Sequence, residues 1–276
     1  MTTRPCEVDD PTSVEVKFGL QNCVSSGNQR QCDVVLGPWS RNNLGQPQSG
    51  AVGTALDHVM GESIFAQLPA GWWLVTSQIA VDFLAPVPAF TRLRAAADAA
   101  MVDAGGGYAR GQLSDEQGNL LATYSAWLHH RPVSPAAVVP LEAPPATPPT
   151  CRPAANIDDY LGVDHGAGDG AVLITLSEPS RWTNFMGFVH GGVWTCLVEM
   201  AASRAVAQHN PALVPAGLHT IFLRPGRGDA AITVRADLQR VGSTSAVVDV
   251  LGRAADGAVC TRSTVTYRVR QRDVRI

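Results

Sequence analysis

Between residues 192 and 208 the chain reads Gly-Val-Trp-Thr-Cys-Leu-Val-Glu-Met-Ala-Ala-Ser-Arg-Ala-Val-Ala-Gln, with almost no polar face. Its length and alanine content predict a helix, and a helix apolar nearly all round must be wrapped by protein. Beyond it the period changes to two. Ile232, Val234, Ala236 and Leu238 alternate with Thr233, Arg235 and Asp237, and Val248 and Val250 flank Asp249. A further strand is expected over 259–268, turned back by the hairpin signal Asp256-Gly257, and another over 170–176 ahead of the helix. The first half shows the same order. A helix is predicted from about 50 to 67, followed by strands near 75–84, 92–102, 108–114 and 121–129, and Val14 to Leu20 is expected to form an opening strand.

The two halves also share residues at fixed spacing. Asn42, Gly45, Gly50 and Asp57 recur 142 positions later as Asn184, Gly187, Gly192 and Glu199. Phe83-Leu84-Ala85-Pro86 recurs 139 positions later as Phe222-Leu223-Arg224-Pro225. A repeat of this length is a duplicated domain rather than a solenoid. Between the copies lies a proline-rich stretch that can neither continue a helix nor pair as a central strand. The expected organisation is therefore an N-terminal unit over 1–131, a connector over 132–153 and a C-terminal unit over 154–276. One hydrophobic helix followed by an antiparallel sheet that curls round it describes the α+β hotdog fold, and two such units make a double hotdog, the covalent counterpart of a two-fold dimer.

Composition narrows the functions. The net charge of −3, with scattered basic residues, argues against nucleic acid as a partner. No apolar run approaches the ~20 residues that cross a bilayer, and the N-terminus lacks a signal-peptide pattern, so no membrane partner and a cytoplasmic location are expected. Six cysteines without C-x-x-C spacing fit a reducing compartment and give a metal site little support.

The candidate chemistry lies at the helix entry. Gly191 and Gly192 leave backbone N–H groups bare at the positive end of a helix, where a carbonyl would be polarised and an oxyanion stabilised. Glu199, two turns on among Leu197, Val198, Met200 and Ala201, is expected to be buried, with its pKa raised toward the range of a general base. The run Asn184 to Glu199 (N-F-M-G-F-V-H-G-G-V-W-T-C-L-V-E) resembles the hotdog acyl-CoA thioesterases of the phenylacetate-degradation type (PaaI-like), and the similarity extends over most of residues 160–268. The resemblance implies hydrolysis of an acyl-CoA to a carboxylic acid and free CoA, with CoA as part of the substrate and no cofactor or metal. It also implies that the Gly191 amide is the oxyanion donor, that Asn184 positions water or carboxylate, and that His190 orders the loop. Glu199 activates water or attacks the carbonyl itself; the residues do not choose between these.

The first half departs from this pattern, with Gln48-Ser49-Gly50 in place of His-Gly-Gly, while Asn42 and Asp57 are retained. In related dimers a hydroxyl from the partner subunit reaches the carboxylate. The matching residues here are Thr76 and its neighbour Ser77, whereas the second half holds Pro215-Ala216-Gly217. The expectation is thus an asymmetric enzyme: Glu199, Asn184, Gly191 and Thr76 form the better site, and Asp57 with Gln48 a weaker or vestigial one. Arg224, Arg227 and Arg240 are candidates for the CoA phosphates. An acyl-CoA-binding protein without turnover is the alternative from another class, and an acyl-thioester hydratase a third, for which the expected Asp/His loop is missing. An intramolecular pseudo-dimer is implied, and a homodimer of double hotdogs is compatible with it.

Overall fold

The computed structural model describes residues 12–69, 71–132 and 154–269. The connector expected over 132–153 lies, from residue 133 onward, outside the described residues, as do Cys6 and Cys151.

The chain opens with a single helical turn, α1 (Val14–Lys17), and the hairpin β1 (Leu20–Ser26) and β2 (Gln29–Val35). Then come the helix α2 (Gly53–Phe65) and four strands: β3 (Trp72–Phe83), β4 (Arg92–Val102), β5 (Gly106–Asp115) and β6 (Leu120–Pro132). The same succession follows: α3 (Ile157–Leu161), β7 (Val163–Gly168), β8 (Ala171–Leu176), α4 (Gly191–Ala207), β9 (Leu213–Phe222), β10 (Ile232–Val241), β11 (Ser245–Arg253) and β12 (Val259–Val269). All twelve strands form one sheet in the order β1-β2-β4-β5-β6-β3-β9-β12-β11-β10-β8-β7, antiparallel throughout. Read inward from either edge, the elements come in the same sequence.

Two expectations are corrected. Val14 to Leu20 is not a strand: Ser13 caps a helical turn by accepting from the Val16 N–H (3.2 Å), and Gly19, at φ +80°, ends it before β1 begins. The strand β9 was not anticipated, because Pro215 and Gly217 break its alternation. Its proline is tolerated at an irregularity, where Thr266 pairs with Gly217 but Tyr267 with Pro215. This strand is what joins the halves, with Gln78 to Asp82 of β3 pairing against Ile221 to Gly217 of β9.

The long helices pack on the sheet, α2 against β2, β4 and β5, and α4 against β8, β10 and β11. Burial on every side explains why neither sequence shows a polar face: α4 has thirteen buried residues of seventeen. The helices also pack against each other, antiparallel and backbone to backbone. A Cβ on Gly53 would stand 2.5 Å from the Gly192 carbonyl oxygen, and one on Gly192 only 2.3 Å from the Thr54 Cα. Further along, Gly50 lies against Cys196 and Glu199, and Gly191 against Asp57. Each helix entry therefore abuts the second turn of the other helix. Among the described residues no helix is long and apolar enough to cross a membrane.

Candidate active site

Asp57 sits on the second turn of α2 and points across the helix pair at the entry of α4. Its Oδ2 accepts the Gly192 N–H (3.1 Å) and lies 3.3 Å from His190 Nδ1, while its Oδ1 accepts the Thr76 hydroxyl (3.0 Å). Thr76 is aimed there by a bulge in β3, since Thr76 pairs with Leu128 and Gln78 with Trp127, leaving Ser77 unopposed. Ser77 turns its hydroxyl to the Trp127 carbonyl (3.0 Å). The Gly192 N–H is shared with His190 Nδ1 (3.0 Å), so His190 caps α4. The Gly191 N–H, at the positive end of a 17-residue helix, makes no hydrogen bond among the described residues and borders the cavity.

That cavity measures about 630 Å³. Asp57, Thr76, His190 and Gly191 form one wall. Phe65, Trp73, Phe185, Trp194 and Phe222 supply apolar surface elsewhere, with Trp73 and Phe185 packed edge to face at 4.1 Å. Arg131 and Arg224 also border it.

Glu199 is buried as expected, at 0% exposure, and burial raises its pKa despite opposing hydrogen bonds from Ser203, the Gly50 amide and Gln48. Its position overturns the expected assembly. Eight residues of helix separate it from Gly191, about 12 Å at 1.5 Å per residue, so it cannot serve a reaction at its own helix entry. Instead it meets the first half. Gln48 Nε2 donates to Oε2, as does the Gly50 N–H (3.0 Å), and the Ser203 hydroxyl donates to Oε1. Thr76, expected beside Glu199, belongs to Asp57. The antiparallel helix packing pairs each Gly-rich entry with the other half's carboxylate, so the His-Gly-Gly run of the second half serves Asp57 of the first.

The remaining expected residues are placed as follows. Asn184 borders the cavity, but its Oδ1 closes its own loop, accepting from the Met186 N–H (3.0 Å) and the Phe188 N–H (3.2 Å). Asn42 does the same for the Leu44 and Gln46 amides, and Gly45 and Gly187 share the left-handed turn at φ +76° and +75°. Both asparagines thus hold the loops that precede the helices. Asn42 and Gln48 border a separate cavity of about 250 Å³. Arg227 is spent on Asp229 (2.8 Å) and is not among the cavity's residues, which corrects its expected role. Glu15 and His58 were missed. Glu15 comes from the opening turn, whose four residues are too few to carry a periodic signal, and it contacts His190 only through the tertiary fold.

Residues 186–261 match the family model described as the thioesterase superfamily, and residues 24–125 that described as the acyl-CoA thioesterase C-terminal domain. Among solved structures, the tesB protein of Mycobacterium avium subs paratuberculosis is similar over 94% of this chain and 98% of its own, at TM-score 0.67 and 9% identity. The acyl-CoA thioesterase II TesB2 of Mycobacterium marinum is similar over 95% and 99%, at TM-score 0.61 and 11% identity. By fold this is a hotdog protein. A curated relative from Halobacterium salinarum, named a putative esterase, is 35% identical over 100 residues, 33% of this chain. The chain spans 65% of that relative's length.

Proposed function

We propose that the chain is an acyl-CoA thioesterase and that Asp57, rather than Glu199, carries the reaction. The observation behind this reading is the meeting of Asp57 with the entry of α4 at the wall of a cavity lined with apolar side chains. Two thioesterase family models matched to different halves of the chain support the reaction class.

In this reading the thioester carbonyl lies against the Gly191 N–H, whose hydrogen-bonding capacity is open toward the cavity. As water adds to the carbonyl carbon, Asp57 takes its proton, and the developing oxyanion gains the amide and the helix field. Collapse breaks the C–S bond, releasing the carboxylic acid and CoA, whose sulfur receives the proton. Thr76 and the Gly192 amide fix both carboxylate oxygens, so little reorganisation is left for the reaction. Direct attack by Asp57 would pass through an anhydride; single-turnover hydrolysis in ¹⁸O-water, followed by mass measurement of the Asp57 peptide, separates the routes. Arg131 and Arg224 are the cations available to CoA phosphates at the cavity rim.

The same sheet order from both edges, the 142-residue spacing and the two matched models support a tandem double hotdog of the PaaI-like kind, with units over 1–131 and 154–276. The test of function is thiol release from aliphatic and aromatic acyl-CoAs, followed with a disulfide reagent. Release by the native chain and its loss in Asp57→Asn are expected. Tight acyl-CoA binding without thiol release would instead mark a binding protein.

A further inference from the structure

We propose that Glu15, carried by the opening turn of the chain, is a positioning residue of this site, gripping the Nε2 edge of His190 so that its Nδ1 edge stays between Asp57 and the Gly192 amide. The activity part of this inference rests on the thioesterase reading; the histidine part stands on geometry alone. Glu15 Oε1 lies 3.4 Å from His190 Nε2 and 3.8 Å from His58 Nδ1, and His190 Nδ1 lies 3.3 Å from Asp57 Oδ2. A carboxylate, an imidazole and a second carboxylate thus stand in line. With its proton on Nε2, facing Glu15, neutral His190 presents a lone pair at Nδ1 to the Gly192 N–H. Protonated, it turns that same edge into a donor toward Asp57.

The turn that carries Glu15 is anchored firmly enough to aim it. Val14 and Phe18 are buried, and Phe18 packs edge to face against Trp39 at 5.5 Å and Trp182 at 5.7 Å. The Tyr160 hydroxyl donates to the Lys17 carbonyl, and Lys17 Nζ to the Arg181 carbonyl (2.9 Å). Thr12, Ser13 and Val14 border the large cavity beside Glu15, so the segment both roofs the site and supplies a charge to it.

The other half offers an internal control. Gly19 and Gly162 end α1 and α3 with matching left-handed turns, at φ +80° and +72°, which sets Asp158 in the place of Glu15. Asp158 meets no helix-entry histidine, because Gln48 replaces His190 and Met200 replaces His58. It pairs instead with Arg204 (2.7 Å) and His165 (3.3 Å). The carboxylate recurs in both halves, but only beside Asp57 is it coupled to the cap of the reactive helix.

The charged and titratable groups facing His190 are Glu15 from α1 and Asp57 and His58 from α2, with Cys23 of β1 touching His58 at 3.9 Å. Burial works against the imidazolium, but Glu15 and Asp57 outweigh it and hold the His190 pKa above its ordinary value. Burial likewise opposes the Glu15 carboxylate, and the two histidines outweigh it, holding its pKa well below the usual carboxylate range.

Glu15→Gln keeps the side chain's shape and removes its charge. NMR titration of the His190 ring, assigned by its loss in His190→Gln, should show the midpoint falling. The acid limb of the kcat profile should move with it, and kcat should drop ~10-fold while KM stays within about twofold. His58→Gln should move the midpoint the other way, because a competing cation is removed and Glu15 is left to His190 alone. A folded Glu15→Gln variant with an unmoved midpoint overturns the proposal, as does a shifted midpoint with kcat and its pH profile unchanged. If the native chain cleaves no acyl-CoA, the thioesterase reading fails, and the two midpoints still decide whether Glu15 governs His190.

Discussion

Asp57 and Glu199 occupy matching turns of the two long helices, and each accepts the backbone N–H of a glycine from the opposite helix entry, Gly192 or Gly50. What surrounds them differs. Around Asp57 stand His190, Gly191 and the Thr76 hydroxyl, and Gly61 and Leu128 leave the site bordering the 630 Å³ cavity. Around Glu199 the matching positions hold Gln48, Ser49 and Pro215, while Ser203 and Tyr267 replace Gly61 and Leu128. The Ser203 and Tyr267 hydroxyls lie 3.0 Å apart over the carboxylate, which borders neither cavity. Two halves with the same order of elements thus give one carboxylate beside the cavity and one sealed carboxylate. Hydroxyls fill the space over one buried acid, and a glycine leaves space beside the other.

The sharpest way to break this contrast is a pair of isosteric changes. Asp57→Asn should lower kcat by ~10²–10⁴-fold, as for loss of a general base, and Glu199→Gln by no more than about twofold; thiol-release assays showing the reverse order would reassign the site. Packing supplies the next test. Gly192→Ala would set a methyl 2.3 Å from the Thr54 Cα, whereas Gly50→Ala meets its nearest atom at 2.9 Å. Overpacking should therefore cost about 3 kcal/mol at Gly192 and less at Gly50, read from urea melts.

Thr76→Val should cut kcat ~10-fold by releasing one oxygen of Asp57, since a hydrogen bond to a charged group is worth about 1.5–3 kcal/mol. Pro215→Thr should change nothing, because Glu199 borders neither cavity. The smallest effect concerns pH. Glu199 has its pKa raised by folding, so the stability that its protonated form contributes is full below the unfolded value of 4.5 and is lost as pH rises through the folded value. The Tm of Glu199→Gln relative to the native chain should therefore increase from pH 4 to pH 7; a flat difference would mean the acid is not sealed.

Much of this was legible in the residues. Periodicity located both long helices and eight of the twelve described strands, with Arg92–Val102 matching to the residue, because helix and strand patterns are set by neighbours three or four and two positions away. The repeat announced two carboxylates at equivalent turns, and the burial of Glu199 followed from its apolar flanks. The chain's local signals failed at β9, where Pro215 sits in an irregularity that only its partner strand reveals. They failed again at Glu15, whose histidines lie 43 and 175 residues away. The meeting of Asp57 with the Gly192 amide is equally non-local, spanning 135 residues.

Sequence by itself determined the two long helices, most of the strands and the recurrence of Asn, Gly and a carboxylate at one spacing, since helix and strand patterns depend on near neighbours along the chain. Which carboxylate faces which helix entry was decided by the antiparallel packing of α2 on α4 through Gly53 and Gly192. That contact joins residues more than a hundred positions apart, so no local pattern records it, and it is what hands the Gly192 amide to Asp57 and leaves Glu199 sealed behind Ser203 and Tyr267.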